Sequence, residues 1–299
     1  MSGRRVVITG ASGFVGGALC AHFASRGWDV RALVRDPAVF TARTGIPAGR
    51  CDLPEILDTT VLDGALALVH CAWATRETDP ARAGRVNEEG SRRLLAAART
   101  AAVPRFVFVS TVAASPDAPS YYARSKHAVE GLLDPARDLV IRPGLVVGRG
   151  GHGLFQQLLD NMRRTRVVPL FGGGRQPLQT VHVDDVSAAI EAALERSLVG
   201  AFNVAELEAP SLRHFLRGMA ARAGVRCAFI PLPFGPVLTG LRVLEALHVP
   251  FPLRSESLLG LKGLRRVPVA EDLRRLGITV RPADASLADV LGPTVTDPA

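Results

Sequence analysis

Two residue types are scarce in this chain. Among its 299 residues only Tyr121 and Tyr122 are tyrosine, and only Lys126 and Lys262 are lysine; every other basic residue is arginine. Tyr122 and Lys126 stand four apart, so on a helix they share one face. A phenol titrates near pH ~10 and needs help to exchange protons at neutral pH. A neighbouring ammonium favours the phenolate and lowers that value. Acid–base catalysis works best when the pKa approaches the working pH. Ser110 and Thr111 follow directly on the apolar run Arg105–Val109. Either hydroxyl could hold a carbonyl oxygen and stabilise charge developing there. The chemistry these residues fit is proton transfer at a carbonyl or hydroxyl oxygen. Alone, a Y-x-x-x-K spacing also describes a helix face where the ring packs and the lysine snorkels.

A second group lies near the start. Val6-Val7-Ile8-Thr9 reads as a buried strand, and it breaks into Gly10, Gly13 and Gly16. Val15, Ala18, Leu19, His22 and Phe23 then recur at helical spacing, with Gly27 placed to cap the last turn. A helix start offers unpaired N–H groups, and glycines let phosphates come close. The pattern is G-x-x-G-x-x-G, one residue longer in the turn than G-x-G-x-x-G. It fits a dinucleotide site, or else an ordinary strand-to-helix loop. Asp29–Val34 is a second strand, followed by Arg35. An acid at that place takes a ribose 2′-hydroxyl and an arginine accommodates a 2′-phosphate, so NADP is favoured over NAD.

These residues need a frame. The sequence predicts turns over 38–50, a short strand at 50–53 and a helix from Pro54 to Asp63. Strands follow at 65–71, 105–109 and 139–141. Asp79-Pro80 starts a helix that runs unbroken to Ala102 and contains Asn87. A second helix carries Tyr122 and Lys126 to Leu133. Alternating strands and helices argue a doubly wound parallel sheet, an α/β fold with ligands at the carboxyl ends of its strands. Thr9-Gly10, Arg35, Asp52, Ala72-Trp73, Ser110-Thr111 and Pro143-Gly144 all fall at those ends. Beyond 144 come a glycine-rich stretch at 148–153, expected to be mobile, a helix at 154–164, strands at 167–171 and 178–183, and a helix from Asp184-Asp185 to Arg196. Phe202-Asn203-Val204 is one more strand. The tail alternates short helices with Pro-rich turns. The expected division is a nucleotide-binding domain of 1–143 and 176–206, and a smaller substrate domain of 144–175 and 207–299.

Composition narrows the classes. The net charge is +8, but arginines are dispersed among acids with no aromatic-interleaved basic run, which argues against nucleic acid. The charge suits an anionic cofactor better. No apolar run reaches about 18 residues, and no secretory segment precedes the first strand. A cytoplasmic protein with no membrane partner is therefore expected, as a monomer or homodimer. Cys20, Cys51, Cys71 and Cys227 are widely spaced, which suits buried thiols in a reducing compartment and no metal site.

The stretches T-G-A-S-G-F-V-G at 9–16, C-D-L at 51–53, V-N-E-E-G at 86–90 and F-V-F-V-S-T at 106–111 belong together with Y-A-R-S-K at 122–126, I-R-P-G at 141–144 and V-H-V-D-D-V at 181–186. In combination they resemble an extended short-chain dehydrogenase/reductase of the NAD(P)-dependent epimerase/dehydratase type, over residues 5 to about 205. The resemblance implies that Tyr122 is the catalytic acid/base, with Lys126 lowering its pKa and binding the nicotinamide ribose. It implies Thr111, rather than Ser110, as the substrate-orienting hydroxyl, and Asn87 as the fourth catalytic member. Gly10, Ser12, Gly13, Phe14, Val15 and Gly16 would hold the pyrophosphate and Arg35 the 2′-phosphate. Asp52 and Leu53 would meet the adenine, with Ala72 also in the cofactor site and Pro143 on the nicotinamide side. Asp185 reads as structural.

One departure bears on substrate. Sugar-nucleotide epimerases of this type commonly place an arginine a few residues before V-D-D to grip the diphosphate. That place here is Leu178, and Arg175 lies on the nearby glycine turn. A buried diphosphate without its guanidinium loses a bidentate partner. The reading that follows is an NADP-dependent oxidoreductase acting on a carbonyl or secondary alcohol of a small, fairly apolar substrate. The alternatives are a nucleotide-sugar epimerase or dehydratase with tightly held NAD(P), and a non-catalytic NADP-binding protein.

Overall fold

The computed structural model describes residues 4–75, 77, 79–150, 154–249, 251 and 253–293. In the first half the strands are β1 (Arg5–Thr9), β2 (Asp29–Val34), β3 (Ala48–Asp52), β4 (Ile56–Leu57), β5 (Ala67–His70), β6 (Arg105–Val109) and β7 (Leu139–Pro143). The second half adds β8 (Leu145–Val147), β9 (Val167–Phe171), β10 (Thr180–His182), β11 (Gly200–Val204) and β12 (Ala228–Leu232). Among the described residues the main sheet has the order β11-β7-β6-β5-β1-β2-β3-β4. Every pair in it is parallel except β3 with β4. This is the doubly wound sheet that the strand and helix alternation predicts. Registers such as Thr9 opposite Leu33 and His70 align the carboxyl ends along one edge.

Helices cover both faces. α1 (Phe14–Ser25), α2 (Pro37–Thr44), α3 (Pro80–Gly84), α4 (Gly90–Thr100) and α5 (Tyr121–Glu130) belong to the first half. α6 (Leu154–Thr165), α7 (Val183–Glu195), α8 (Leu212–Arg222), α9 (Phe234–Ala246), α10 (Ser255–Lys262), α11 (Ala270–Leu276) and α12 (Ala283–Leu291) follow. Because side chains alternate along a strand, Val6 and Ile8 enter one core and Val7 the other. The first core receives Phe23 of α1 and Ile190 of α7. The second receives Leu94 of α4 and Val129 of α5. A third core joins Phe155, Leu159, Phe215, Met219 and Leu287 around Leu178. A small fourth one joins Phe171, Leu241 and Leu258. The chain beyond 206 is shared between these units: Val269, Leu273, Leu276 and Val280 lie in the first core, under the main sheet.

Three segments depart from the sequence reading. Residues 37–44 are a helix, not turns. Asp36 caps it by accepting from Val39 N at 3.1 Å, Pro37 opens it, and Gly45 closes it at φ 73°. Residues 54–63 are not a helix. β4 folds back on β3, and a single 3-10 turn covers Thr60–Leu62. Asp58 Oδ1 accepts from Thr60 N and Oγ1, and the β-branched Thr59-Thr60-Val61 run adds little helical drive. The helix predicted from 79 to 102 runs from Pro80 to Thr100, and what the sequence did not show is one π-helical turn at Arg85–Glu89 inside it, between α3 and α4. The glycine stretch 148–153 lies partly outside the described residues.

Candidate active site

The glycine turn joins β1 to α1 at the carboxyl edge. Gly10 has φ 64°, and a side chain there would meet Ala72 N at 2.7 Å. A side chain at Gly16 would run into the Gly10 carbonyl oxygen. α1 therefore packs as close to β1 as backbone allows. Its N-cap, Gly13, offers no side-chain cap, and its first turn holds no acid. That leaves a helix start suited to an anion. A cavity of about 510 Å³ opens there, lined by Ser12, Gly13 and Phe14 with Arg43 and Arg149. Val15 follows in the first turn of α1. Arg35 and Asp52 are exposed just past β2 and at the end of β3. Leu53 is buried against Gly90, where a side chain would meet its Cβ at 2.8 Å. Pro143 ends β7, and its carbonyl accepts from Val112 N at 3.0 Å. The residues present fit a dinucleotide through the uncapped helix start, the glycine cradle and Arg43; Asp184 and Asp289 also line the cavity, and Arg149 donates to Asp289 O. Arg43 and Arg149 escaped the sequence reading because only the fold brings them to this cavity.

α5 starts sharply because Ser120 Oγ accepts from Ala123 N. Lys126 points inward and donates to Val109 O at 2.7 Å, the last carbonyl of β6. Burial lowers its pKa to about 7. Tyr122, one turn earlier, is 40% exposed. The part of the ring packed against the protein is desolvated, which raises the phenol's pKa above its ordinary value. The expectation that Lys126 draws the Tyr122 pKa down is thus not met in this structure. The ammonium is held against Val109 O and two aromatic rings, and it is weakened as a charge by its own burial.

The two hydroxyls after β6 have different fates. Ser110 Oγ donates to Glu130, whose carboxylate also takes a two-pronged contact from Arg142 at 3.0 and 2.6 Å. Ser110 is thereby committed to holding α5 against β7. Among the described residues the Thr111 hydroxyl makes one long contact, accepting from Ala113 N at 3.3 Å.

Asn87 is buried in the π turn, and its Oδ1 accepts from Ala74 N at 2.7 Å. This ties the turn to the loop after β5. Such single π turns recur where function needs a carbonyl freed from the helical ladder. Its neighbour Glu88 accepts from Ser125 Oγ at 2.8 Å and Tyr121 Oη at 3.2 Å, which docks α5 on the same turn. A buried chain runs beneath. Thr9 Oγ1 lies 2.8 Å from His70 Nδ1, and His70 Nε2 lies 2.9 Å from Ser91 Oγ, which donates to Asn87 O. Ser91 gives its one proton to that carbonyl, so His70 must be protonated on Nε2 and accept from Thr9 on Nδ1. Burial pushes the His70 pKa down to about 3, in keeping with a neutral ring. His70 and Glu88 were not singled out from sequence; a lone histidine in an apolar strand and one acid in a charged helix carry no spacing signal.

On the substrate side, Leu178 is 4% exposed within the third core, and Arg175 is exposed on the glycine turn. Asp185 is structural: it receives the Arg281 guanidinium at 2.8 Å and Arg281 N at 3.0 Å.

Comparison with known proteins fits this geometry. The model of the NAD dependent epimerase/dehydratase family matches residues 6–205. A ceramide reductase of Caulobacter vibrioides (strain NA1000 / CB15N) is 30% identical over 253 residues, covering 81% of this chain and 77% of the relative. A 4-hydroxy-2-methyl-3-oxo-4-farnesyl-3,4-dihydroquinoline-1-oxide ketoreductase of Stigmatella aurantiaca is 30% identical over 258 residues, covering 77% and 76%. Among solved structures, human epimerase family protein SDR39U1 (isoform2) with NADPH is similar in fold, with a TM-score of 0.72 at 20% identity over 96% of this chain and 99% of that one.

Proposed function

Because the chain belongs to the NAD dependent epimerase/dehydratase family, we propose that it is an NADP-dependent reductase of a carbonyl on an apolar substrate bearing a hydrocarbon tail. The observation that carries this reading is the setting of α5. Lys126 is fixed inward on Val109 O while Tyr122, one turn away, is 40% exposed with a phenol that stays protonated at neutral pH. A protonated phenol is a donor, which suits reduction of a carbonyl. The cofactor, when bound, supplies a hydride to the carbonyl carbon. Tyr122 gives its proton to the oxygen, and Thr111 orients that oxygen by a hydrogen bond. Val109 O takes one of three ammonium donors of Lys126 and the Trp73 and Phe108 rings flank the rest, so Lys126 would turn from those rings to reach a ribose hydroxyl. Asn87 holds the π turn against the loop at Ala72–Ala74. Arg35 meets the 2′-phosphate, and residues 10–16 hold the pyrophosphate.

The substrate class is supported by the apolar Leu178 in place of a diphosphate-gripping arginine, and by two relatives whose names carry a ceramide and a farnesyl group. The test is consumption of NADPH with a panel of long-chain ketones, followed by absorbance. Steady oxidation with at least one such ketone is expected. A uridine diphosphate sugar that raises the melting temperature of the cofactor complex, with no ketone reduced, would instead establish the epimerase reading.

A further inference from the structure

α9 is apolar on both of its sides. Phe234, Val237, Leu238 and Leu241 face Phe171 and Leu258 within the fourth core. The opposite side carries Pro236, Gly240, Val243 and Leu247 at helical spacing, all exposed. Past the helix end, Val249 and Phe251 are exposed as well. Exposure reaches 52% at Val243, 67% at Leu247, 45% at Val249 and 51% at Phe251. Large apolar side chains grouped on an exposed tip mark a binding surface.

The stretch that carries this tip is basic: between 234 and 266 stand Arg242, Arg254, Lys262, Arg265 and Arg266 against Glu245 and Glu256. Both acids are already engaged. Glu245 accepts from Ser255 N and Oγ at 2.8 and 2.6 Å and lies 3.3 Å from Arg254. Glu256 accepts from Tyr121 N at 2.7 Å. Arg242 projects from the exposed side of α9. The last contact also gives the place of the patch: α10 is bonded to the first residue of α5, and α9 packs on α10.

We propose that the exposed side of α9, with Leu247, Val249 and Phe251 beyond it, docks on an anionic lipid bilayer. Leu247 and Phe251 enter the acyl boundary, and Arg242 with its basic neighbours meets the headgroups. No helix among the described residues is long and apolar enough to cross a membrane, and a surface helix needs no such length. The proposal departs from the expectation of no membrane partner, which rested on the lack of a span. It rests on the function proposed above for its purpose, since a substrate with a hydrocarbon tail resides in the bilayer.

The test is flotation of the full chain with vesicles of phosphatidylcholine alone or mixed with phosphatidylglycerol. At least about tenfold more protein should float with the anionic vesicles, and added salt should reduce it. The double variant Leu247→Asp/Phe251→Asp should lose that binding while keeping its melting temperature and NADPH affinity. Arg242→Glu, which alters no packed residue, should weaken it in the same direction. A wild-type chain that stays with neither vesicle overturns the proposal, as does a double variant that floats equally well. A dimer in vesicle-free sedimentation that the double variant dissolves would assign the patch to a second copy instead. Flotation needs no substrate, so the two readings fail separately. Ketone reduction without flotation overturns docking alone, and flotation without ketone reduction overturns only the proposed substrate.

Discussion

The ammonium of Lys126 lies 3.8 Å from the centroid of the Trp73 ring. Phe108 stands 4.6 Å away on another side, and Lys126 is 3% exposed. Aromatic faces and one carbonyl replace water only in part, so burial lowers the pKa to about 7 against an unfolded value near 10.5. Between those values the unfolded chain binds the proton and the folded one does not. Folding is therefore unpenalised above pH 10.5, loses stability as pH falls toward 7, and levels off below. Lys126→Met abolishes this dependence. Its stability relative to wild type should rise by up to about 1.4 kcal/mol per pH unit as pH falls through the window. Urea titrations at several pH values would show it; a constant difference would contradict the assignment.

Tyr122→Phe should reduce ketone turnover by at least about a hundredfold, the scale of a lost acid–base group. The ring is 40% exposed, so its packing is retained and the melting temperature should hardly move. Unchanged NADPH affinity beside lost turnover is the expected pair of results. Turnover that survives would point to a binding protein without catalysis by this residue.

Arg35→Ala addresses the cofactor. Wild type should bind NADPH more tightly than NADH, and the variant should lose at least about tenfold of that preference, the size of a typical charge-assisted contact. Calorimetry reads both affinities. Equal wild-type affinities would remove Arg35 from the proposed role.

His70 predicts an acid limb of stability. Its folded pKa near 3 lies below the unfolded 6.5, because burial disfavours the imidazolium. As pH falls from 6.5 toward 3 the unfolded state gains a proton that the native ring refuses, so stability is lost there. His70→Gln should flatten that part of the profile. At neutral pH it should cost about 2 kcal/mol or more, because Thr9 and Ser91 lose a buried partner. Denaturation curves of both proteins between pH 4 and ~8 decide it.

Much of the main sheet was legible because its strands are apolar runs ending in glycine, proline or small polar residues. α2 was missed although Asp36-Pro37 carries the same cap signal that Asp79-Pro80 displays; an eight-residue helix that buries Phe40 alone gave no periodicity to go with it. The π turn at Arg85–Glu89 was invisible, since an inserted residue leaves helical composition unchanged. In the site, Tyr122, Lys126 and the glycines announce themselves by rarity and spacing. The inward turn of Lys126 does not, because Trp73 and Val109 reach it only through the packing of β5 and β6.

Residues 269–280 lie under the main sheet although the family match ends at 205. The segment that carries α8, α9 and α10 is therefore tethered at both ends, by β11 before it and by Val269–Val280 after it. Arg281 on Asp185 and Ala283 N on Glu206 rivet the exit side. A flap held at both edges cannot swing open like a door on one hinge. Any displacement of α9 and α10 is therefore a shear rather than a rotation, resisted where Phe171, Leu241 and Leu258 pack on one another.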